Sequence, residues 1–228
     1  MMFSAEKRFG QLLERILFEA EALCNADGGT LYLYDNHEHL AFVIMHNDTL
    51  RIALGGADGD PIPFAPLPLY DAETGAPNHS NVAVYAALTR QTINIADAYH
   101  AEGFDFSGTK AFDQQTGYHS QSFLTVPLQN ENGALLGVLQ LINARHPGTD
   151  TVIAFSSDLQ KVVEALAALA ALALAAYIRE QKLRAEIQEL RIAVDQEKKE
   201  RQVAEITESA YFHHLLEQAR KLRERIAK

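Results

Sequence analysis

Cysteine is almost missing from this sequence: Cys24 stands alone among 228 residues. An internal disulfide and a four-cysteine metal site are therefore both excluded, and a reducing, cytoplasmic setting is expected. Basic charge is also scarce, with 20 lysines and arginines against 30 acids and a formal net charge of -10. A chain of that sign offers no broad electropositive field, so neither a nucleic-acid polymer nor an acidic membrane surface is an expected partner. Long apolar runs are lacking too. The one extended stretch, Val162 to Ile178, is rich in alanine and interrupted by Glu164, which reads as a buried helix rather than a membrane span. Met1-Met2-Phe3 leads into charged residues, not into the apolar core of a signal peptide. The phosphate-binding loop, the dinucleotide glycine pattern, the serine elbow and the zinc-protease helix are all missing, so nothing argues for an enzyme, a metal or a bound cofactor.

The residues that are present describe one core plus an extension. From Ser4, Phe9, Leu12, Leu13, Ile16, Leu17, Ala20 and Leu23 recur at threes and fours, the stripe of an amphipathic helix, with Asn25 to Gly29 as its stop. Thr30–Tyr34 and His39–Met45 carry β-formers on either side of the polar loop Asp35–Glu38 and predict two antiparallel strands. Pro61, Pro63, Pro66, Pro68 and Pro77 crowd into Gly55–Asn78, which predicts a surface excursion. Asn81, with Ser80 as the alternative, caps a short helix through Leu88, followed by the strand Thr92–Ile95 and a polar segment as far as Tyr118. Gln121–Leu128 and Ala134–Asn143, joined through Asn132-Gly133, form the expected central hairpin.

After Ser156 or Ser157 no glycine or proline interrupts helical character to Lys228. Leu183, Ile187, Leu190 and Val194 repeat as a short coiled-coil seam that fades at Glu197 and Arg201. Apolar spacing resumes with Phe212, Leu215, Ala219, Leu222 and Ile226, which predicts a kink near Thr207-Glu208-Ser209. A parallel homodimer is the simplest partner for both stripes.

Few residues invite chemistry on their own. The run Pro77–Ala83 can present helix-start amides to a small anion or be an ordinary capped helix. His37 and His39 flank a turn, and the adjacent His213 and His214 point to different faces, so solvated histidines are expected rather than metal ligands. Cys24 reads as a small core residue, not a nucleophile.

Five pieces in order carry a family likeness: Asn94-Ile95-Ala96-Asp97-Ala98-Tyr99, Phe104, Phe112 to Tyr118 with its Thr116-Gly117-Tyr118, Leu124-Thr125-Val126-Pro127-Leu128, and Gly137 to Asn143. Together they resemble the GAF domains of cyclic-nucleotide phosphodiesterases and their bacterial relatives, over roughly Leu12 to Leu172. The resemblance implies an α+β fold with a central antiparallel sheet of about six strands, terminal helices on one face and a covered ligand on the other. It divides the chain into a sensor domain, 1–172, and a helical dimerisation and signalling extension, 173–228.

The resemblance also implies a site. Thr30 stands where the family's first strand meets the base. Met45 and His46, then Asn47, stand where an aromatic residue and an acid frame it. Asn81, Val82 and Ala83 match the helix start that offers amides to ribose and phosphate, and Tyr99 matches a tyrosine reaching the phosphate. Asp113, Thr116 and Ser120 match polar contacts on the lid and the next strand, and Gln140 stands where an inward glutamate can occur. A further family signature pairs Asn-Lys with a later Phe and Asp-Glu. Here Asn143 and Phe155 are present, but Ala144 replaces the lysine and the acid is Asp158, one residue early, so that bridge is expected to be missing. The implied function is a non-enzymatic cytoplasmic sensor of cAMP or cGMP, with no cofactor beyond that ligand, signalling through dimeric helices to a separate effector. A ligand-free dimerisation scaffold is the alternative. Less favoured are a sulfoxide-reducing or bilin-carrying member, since both rely on cysteines near the pocket, and a haem sensor using His46 or His119.

Overall fold

A computed structural model describes residues 2–35 and 37–226. Lys228, where the last helix is expected to end, and the side chains of Ser4 and Ile226 lie outside the described residues. The chain divides into two compact units, one ending at Tyr177 and the other beginning at Ile178.

The first unit is built on one sheet. Its strands are β1 (Ala26–Tyr34), β2 (His39–Asn47), β3 (Ile52–Gly55), β4 (Leu67–Pro68), β5 (Ile93–Ile95), β6 (Phe123–Gln129), β7 (Leu135–Arg145) and β8 (Val152–Ile153). The order is β3-β2-β1-β7-β6-β5, with β4 on β2 and β8 on β7, and every pairing is antiparallel. Strand alternation sends Leu31, Ile44, Leu124, Val126, Leu139 and Leu141 to one face. There they meet Leu13, Leu17 and Ala20 of α1 (Met2–Cys24) and Val163, Ala167, Ala171 and Leu174 of α4 (Ser157–Thr207) in the main core. The terminal helices thus share one face, as the resemblance implies. On the opposite face Tyr32, Leu40 and Val138 pack against Ala83, Val84 and Ala87 of α2 (Val82–Thr89).

Two local expectations are corrected. The glycines after α1 do not stop it: Asn25, at φ 47°, does, and Gly28 and Gly29 lie within β1. A Cβ on Gly28 would sit 2.5 Å from the His46 carbonyl oxygen, and one on Gly29 would sit 2.7 Å from Leu17 Cδ1. These glycines serve close approach of backbone to its neighbours. The polar segment before Tyr118 is not irregular but holds α3 (Ser107–Thr116). Asp105 accepts the Ser107 N–H at 2.8 Å at its start, and Gly117 at φ 72° closes it, donating its N–H to the Asp113 carbonyl at 2.9 Å.

The Asn132-Gly133 hairpin forms as expected, with Gly133 at φ 75° and Asn130 Oδ1 accepting from the N–H groups of Asn132 and Ala134, each at 2.9 Å. α4 contains the one stretch among the described residues that is long and apolar enough, by length and composition, to cross a bilayer. Within the first unit that stretch supplies Val163, Ala167, Ala170, Ala171 and Leu174 to the core.

The second unit comprises the rest of α4 and α5 (Ala210–Ile226). The expected break falls at Glu208-Ser209, where Ser209 Oγ accepts the Phe212 N–H at 3.2 Å and donates to the Ile206 carbonyl at 2.7 Å. Leu183, Ile187, Leu190 and Val194 are all solvent-facing in the single chain.

Candidate functional site

The face of the sheet opposite α1 carries a cavity of about 250 Å³. β1 contributes Thr30 and Tyr32, β2 contributes Phe42 and Met45, β3 Ile52, β6 Phe123, and β7 Gln140 and Ile142. α3 closes it with Gly108, Thr109 and Phe112, the chain after α3 adds Tyr118 and Ser120, and the proline-rich excursion adds Phe64. Rings and aliphatic side chains dominate the lining, which among the described residues contains no lysine, arginine, aspartate or glutamate. Phe42 shares a face with Met45 because the β1–β2 register shifts at Leu31/Tyr32, pairing Ile44 with Leu31 but Phe42 with Tyr32.

Gln140 is the best-positioned polar group. Its Oε1 accepts from Tyr32 Oη at 3.3 Å and its Nε2 donates to Thr125 Oγ1 at 3.0 Å, with Thr125 fully buried. The amide is held edge-on at the cavity with donor and acceptor capacity left over.

Of the residues expected from sequence, Thr30, Met45, His46, Asn47, Ser120 and Gln140 line the cavity. His46 does so with its ring committed elsewhere, because adjacent strand positions face opposite ways. Its Nδ1 lies 2.8 Å from Glu21 Oε2 on α1, its Nε2 lies 3.5 Å from Asp48, and Phe18 meets it edge-on at 4.9 Å. Burial pushes the Glu21 carboxyl up to about 7 against the opposing pull of His46, and Glu21 Oε1 has no hydrogen-bond partner among the described residues.

Asn81, Val82 and Ala83 do not line the cavity. The Asn81 side chain caps its own helix, accepting the Val84 N–H at 3.1 Å, while Val82 packs with Ile95, Phe106 and Phe123, and Ala83 with Tyr32 and Val138. Tyr99, Asp113 and Thr116 also stand outside it. Tyr99 Oη donates to Asp113 Oδ2 at 2.7 Å, and Asp113 accepts from the Ser120 N–H at 2.7 Å and from Ser120 Oγ at 2.8 Å. Asp113 is a buried clasp joining α3 to the chain that follows. Thr116 Oγ1 turns back onto the Phe112 carbonyl at 2.8 Å.

Behind the cavity lies a polar cluster that composition does not announce. Tyr118 Oη donates to Asp27 Oδ2, and Arg145 Nη2 donates to Asp27 Oδ1 and to Thr49 Oγ1. Thr49 Oγ1 donates to Asp27 Oδ1 at 2.9 Å. Burial works to raise the Asp27 carboxyl, yet the bonds from Tyr118 and Thr49 and the Arg145 charge hold it below the ordinary carboxylate range. Burial, then the bond to Asp27, raises the Tyr118 phenol. Asn143, at φ 55°, accepts the Gln121 N–H at 2.7 Å and donates to Tyr118 Oη at 3.0 Å and to the His119 carbonyl at 2.8 Å. Ala144 is fully buried in the main core, and Asp158 pairs at the surface with Lys161 at 3.3 Å. Cys24 packs in the same core, and burial pushes its thiol up to about 11, which leaves little thiolate for nucleophilic chemistry.

An antiparallel sheet with terminal helices on one face and a lidded aromatic cavity on the other defines a ligand-cavity domain of α+β class. The GAF domain model matches residues 8–174, and the chain belongs to the GAF domain family. The chain is 34% identical over 92 residues to the dual 3',5'-cyclic-AMP and -GMP phosphodiesterase 11A of Takifugu rubripes, covering 40% of this chain and 9% of that protein. It is 30% identical over 140 residues to the cGMP-specific 3',5'-cyclic phosphodiesterase of Drosophila pseudoobscura pseudoobscura, covering 58% of this chain and 11% of that one. The chain thus spans about a tenth of the length of these curated relatives. Among solved structures, the blue-light absorbing form of the Thermosynechococcus elongatus PixJ GAF domain superposes with a TM-score of 0.52 at 15% identity, over 80% of this chain and 94% of that one. The GAF domain/HD domain protein from Geobacter sulfurreducens gives 0.50 at 15% identity, over 77% and 97%. GAF domains are in general regulatory sensor modules, and the kinship to phosphodiesterases is partial in coverage.

Proposed function

We propose that this chain is a non-enzymatic cytoplasmic sensor whose cavity takes the base of a cyclic nucleotide, cAMP or cGMP. The observation that carries the reading is the edge of Gln140, oriented by Tyr32 and Thr125, set beside Thr30 among Phe42, Phe112 and Phe123. A planar ring bearing donors and acceptors is the ligand such walls recognise. The cyclic nucleotides in the names of the relatives support the choice. Sugar and phosphate then lie toward the first turn of α3 at Gly108 and Thr109, not at α2, whose first turn Asn81 already caps. Binding orders α3 over the sheet and biases the terminal helices, with a coupling of about 1–3 kcal/mol as is typical. The exposed stripe Leu183, Ile187, Leu190 and Val194 pairs with a second copy, and the paired helices meet a separate effector.

Calorimetry with cAMP and cGMP tests the ligand. Micromolar binding of either, weakened about tenfold or more by Gln140→Ala, supports the reading. No heat at millimolar concentrations of both nucleotides sinks it. A second reading rests on the lack of any charged side chain in the lining: the occupant is an uncharged heteroaromatic. Adenosine or guanosine binding at least as tightly as its cyclic phosphate selects that reading.

A further inference from the structure

We infer that Asp27 and Arg145, neither of which lines the cavity, are positioning residues for its wall: they hold Tyr118, and through it the end of α3, against the sheet. The ligand side of this inference rests on the function proposed above.

Tyr118 joins the lid to the sheet. Its ring lines the cavity, and it follows directly on Gly117, the residue that ends α3. α3 supplies Gly108, Thr109 and Phe112 to the same cavity, so the placement of Tyr118 fixes the near end of the lid. The phenol oxygen is anchored by the side chains of Asp27 and Asn143, with Asn47 also bonded to it.

Asp27 plays this part as a carboxylate held by its donors. Its side chain is 1% exposed, and a carboxylate so buried stays ionised only with a cation and several donors around it. Arg145 is that cation, at the end of β7, while Thr49 and Asn47 supply further donors from the end of β2 and the turn after it. Remove the guanidinium and the buried Asp27 carboxylate is left without its counter-charge and one of its donors, so its hold on Tyr118 loosens. The dependence therefore runs from Arg145 to Asp27 to Tyr118 to the cavity wall. The chain has Ala144 where the phosphodiesterase-like pattern has lysine, and Ala144 is walled into the core. The next residue, Arg145, makes a different bridge to a different acid, one that ends on the ligand wall.

Hydrogen exchange on the full chain without ligand tests this, read on the amides of α3 at 107–117. Arg145 is bonded to Asp27, Thr49, Asp150 and the Asn25 carbonyl, so a purely local role would leave α3 unmoved. Arg145→Gln and Tyr118→Phe are each expected to speed α3 exchange about tenfold, and the double variant no further, since both cut one route. Strands β6 and β7 serve as the control and stay protected. Should Arg145→Gln loosen them as well, Arg145→Lys, which keeps the counter-charge beside Asp27, is expected to restore the strands and bring α3 back toward the parent rate, and Tyr118→Phe alone then decides: α3 faster with the strands protected supports the inference, and an α3 rate within twofold of the parent overturns it. An α3 rate within twofold of the parent in Arg145→Gln, or effects that multiply in the double variant, would overturn the inference. Calorimetry with cGMP and cAMP then separates the two claims. Parent binding weakened about fivefold by Arg145→Gln supports both, and unchanged affinity overturns the positioning role. If neither nucleotide binds the parent, the ligand assignment fails and the exchange result still decides the positioning.

Discussion

The two faces of the sheet are made by alternate residues of the same strands and could hardly differ more. Toward α1 and α4 the strands present Leu31, Leu139, Leu141 and Leu124, all fully buried among aliphatic side chains. Toward α3 the neighbouring positions present Thr30, Tyr32 and Gln140 around space that no side chain fills, with Thr125 bonded to Gln140 outside the lining. One face is a closed core, the other a ring-walled cavity whose polar groups satisfy one another. Stability and recognition are thus divided along each strand with a period of two, and a substitution should be read by the face it strikes.

The largest expected effect tests that division directly. Leu17→Ala, at a fully buried site on the core face, should cost about 3 kcal/mol in urea unfolding, whereas Phe112→Ala at the cavity should cost about 1 kcal/mol. Equal costs would break the comparison, because they would mean that the cavity is as tightly packed as the core. Gly28→Ala strikes the strand itself, where the new Cβ meets the His46 carbonyl oxygen, and should cost about 2 kcal/mol in the same urea unfolding.

A smaller effect comes from two of the buried acids, Glu21 and Asp27, which are shifted in opposite senses. Glu21, on the core face, is raised to about 7, so the folded form holds its proton more tightly than the unfolded chain. Its contribution is fully present below the ordinary value of 4.5 and is lost as pH rises through about 7. Asp27 is lowered, so its contribution is present at neutral pH and is lost as pH falls through the acid range. Glu21→Gln should therefore flatten the decline in stability between about pH 4.5 and 7, worth about 1 kcal/mol once residual solvation is allowed for, and leave the acid limb in place. Unfolding midpoints across that range check it; an unaltered slope would remove Glu21 from the account.

The sequence shows these features unevenly, for physical reasons. Local chemistry is legible: Asn81 as a cap, Asn132-Gly133 as a hairpin, and Ser209 at the break before α5 each act on neighbours within a few residues. α3 is not legible, because its ten residues hold only Ala111 and Phe112 as apolar side chains and its buried residue is Asp113, so no helical stripe forms. Gly28 and Gly29 look like a helix stop since glycine marks both turns and crowded strands. Thr30 and Gln140 follow from the resemblance, but Phe42 requires the register shift at Leu31/Tyr32. The Arg145 pairing with Asp27 spans 118 positions and leaves no local trace.

The smallest stability effect should accompany a large functional one, and it is the sharpest test of the division. Gln140→Leu keeps the size of the side chain and removes the amide that joins Tyr32 to Thr125. Tyr32 Oη and Thr125 Oγ1 each lose one bond, but hydroxyls rotate and the cavity admits water, so the cost should stay within about 1 kcal/mol. Recognition has no such recourse, since the leucine offers a heteroaromatic edge neither donor nor acceptor. Cyclic-nucleotide affinity should fall about tenfold or more, with a urea midpoint close to the parent's. If affinity and stability fall together, the cavity face is a second core and the two faces are not divided by function.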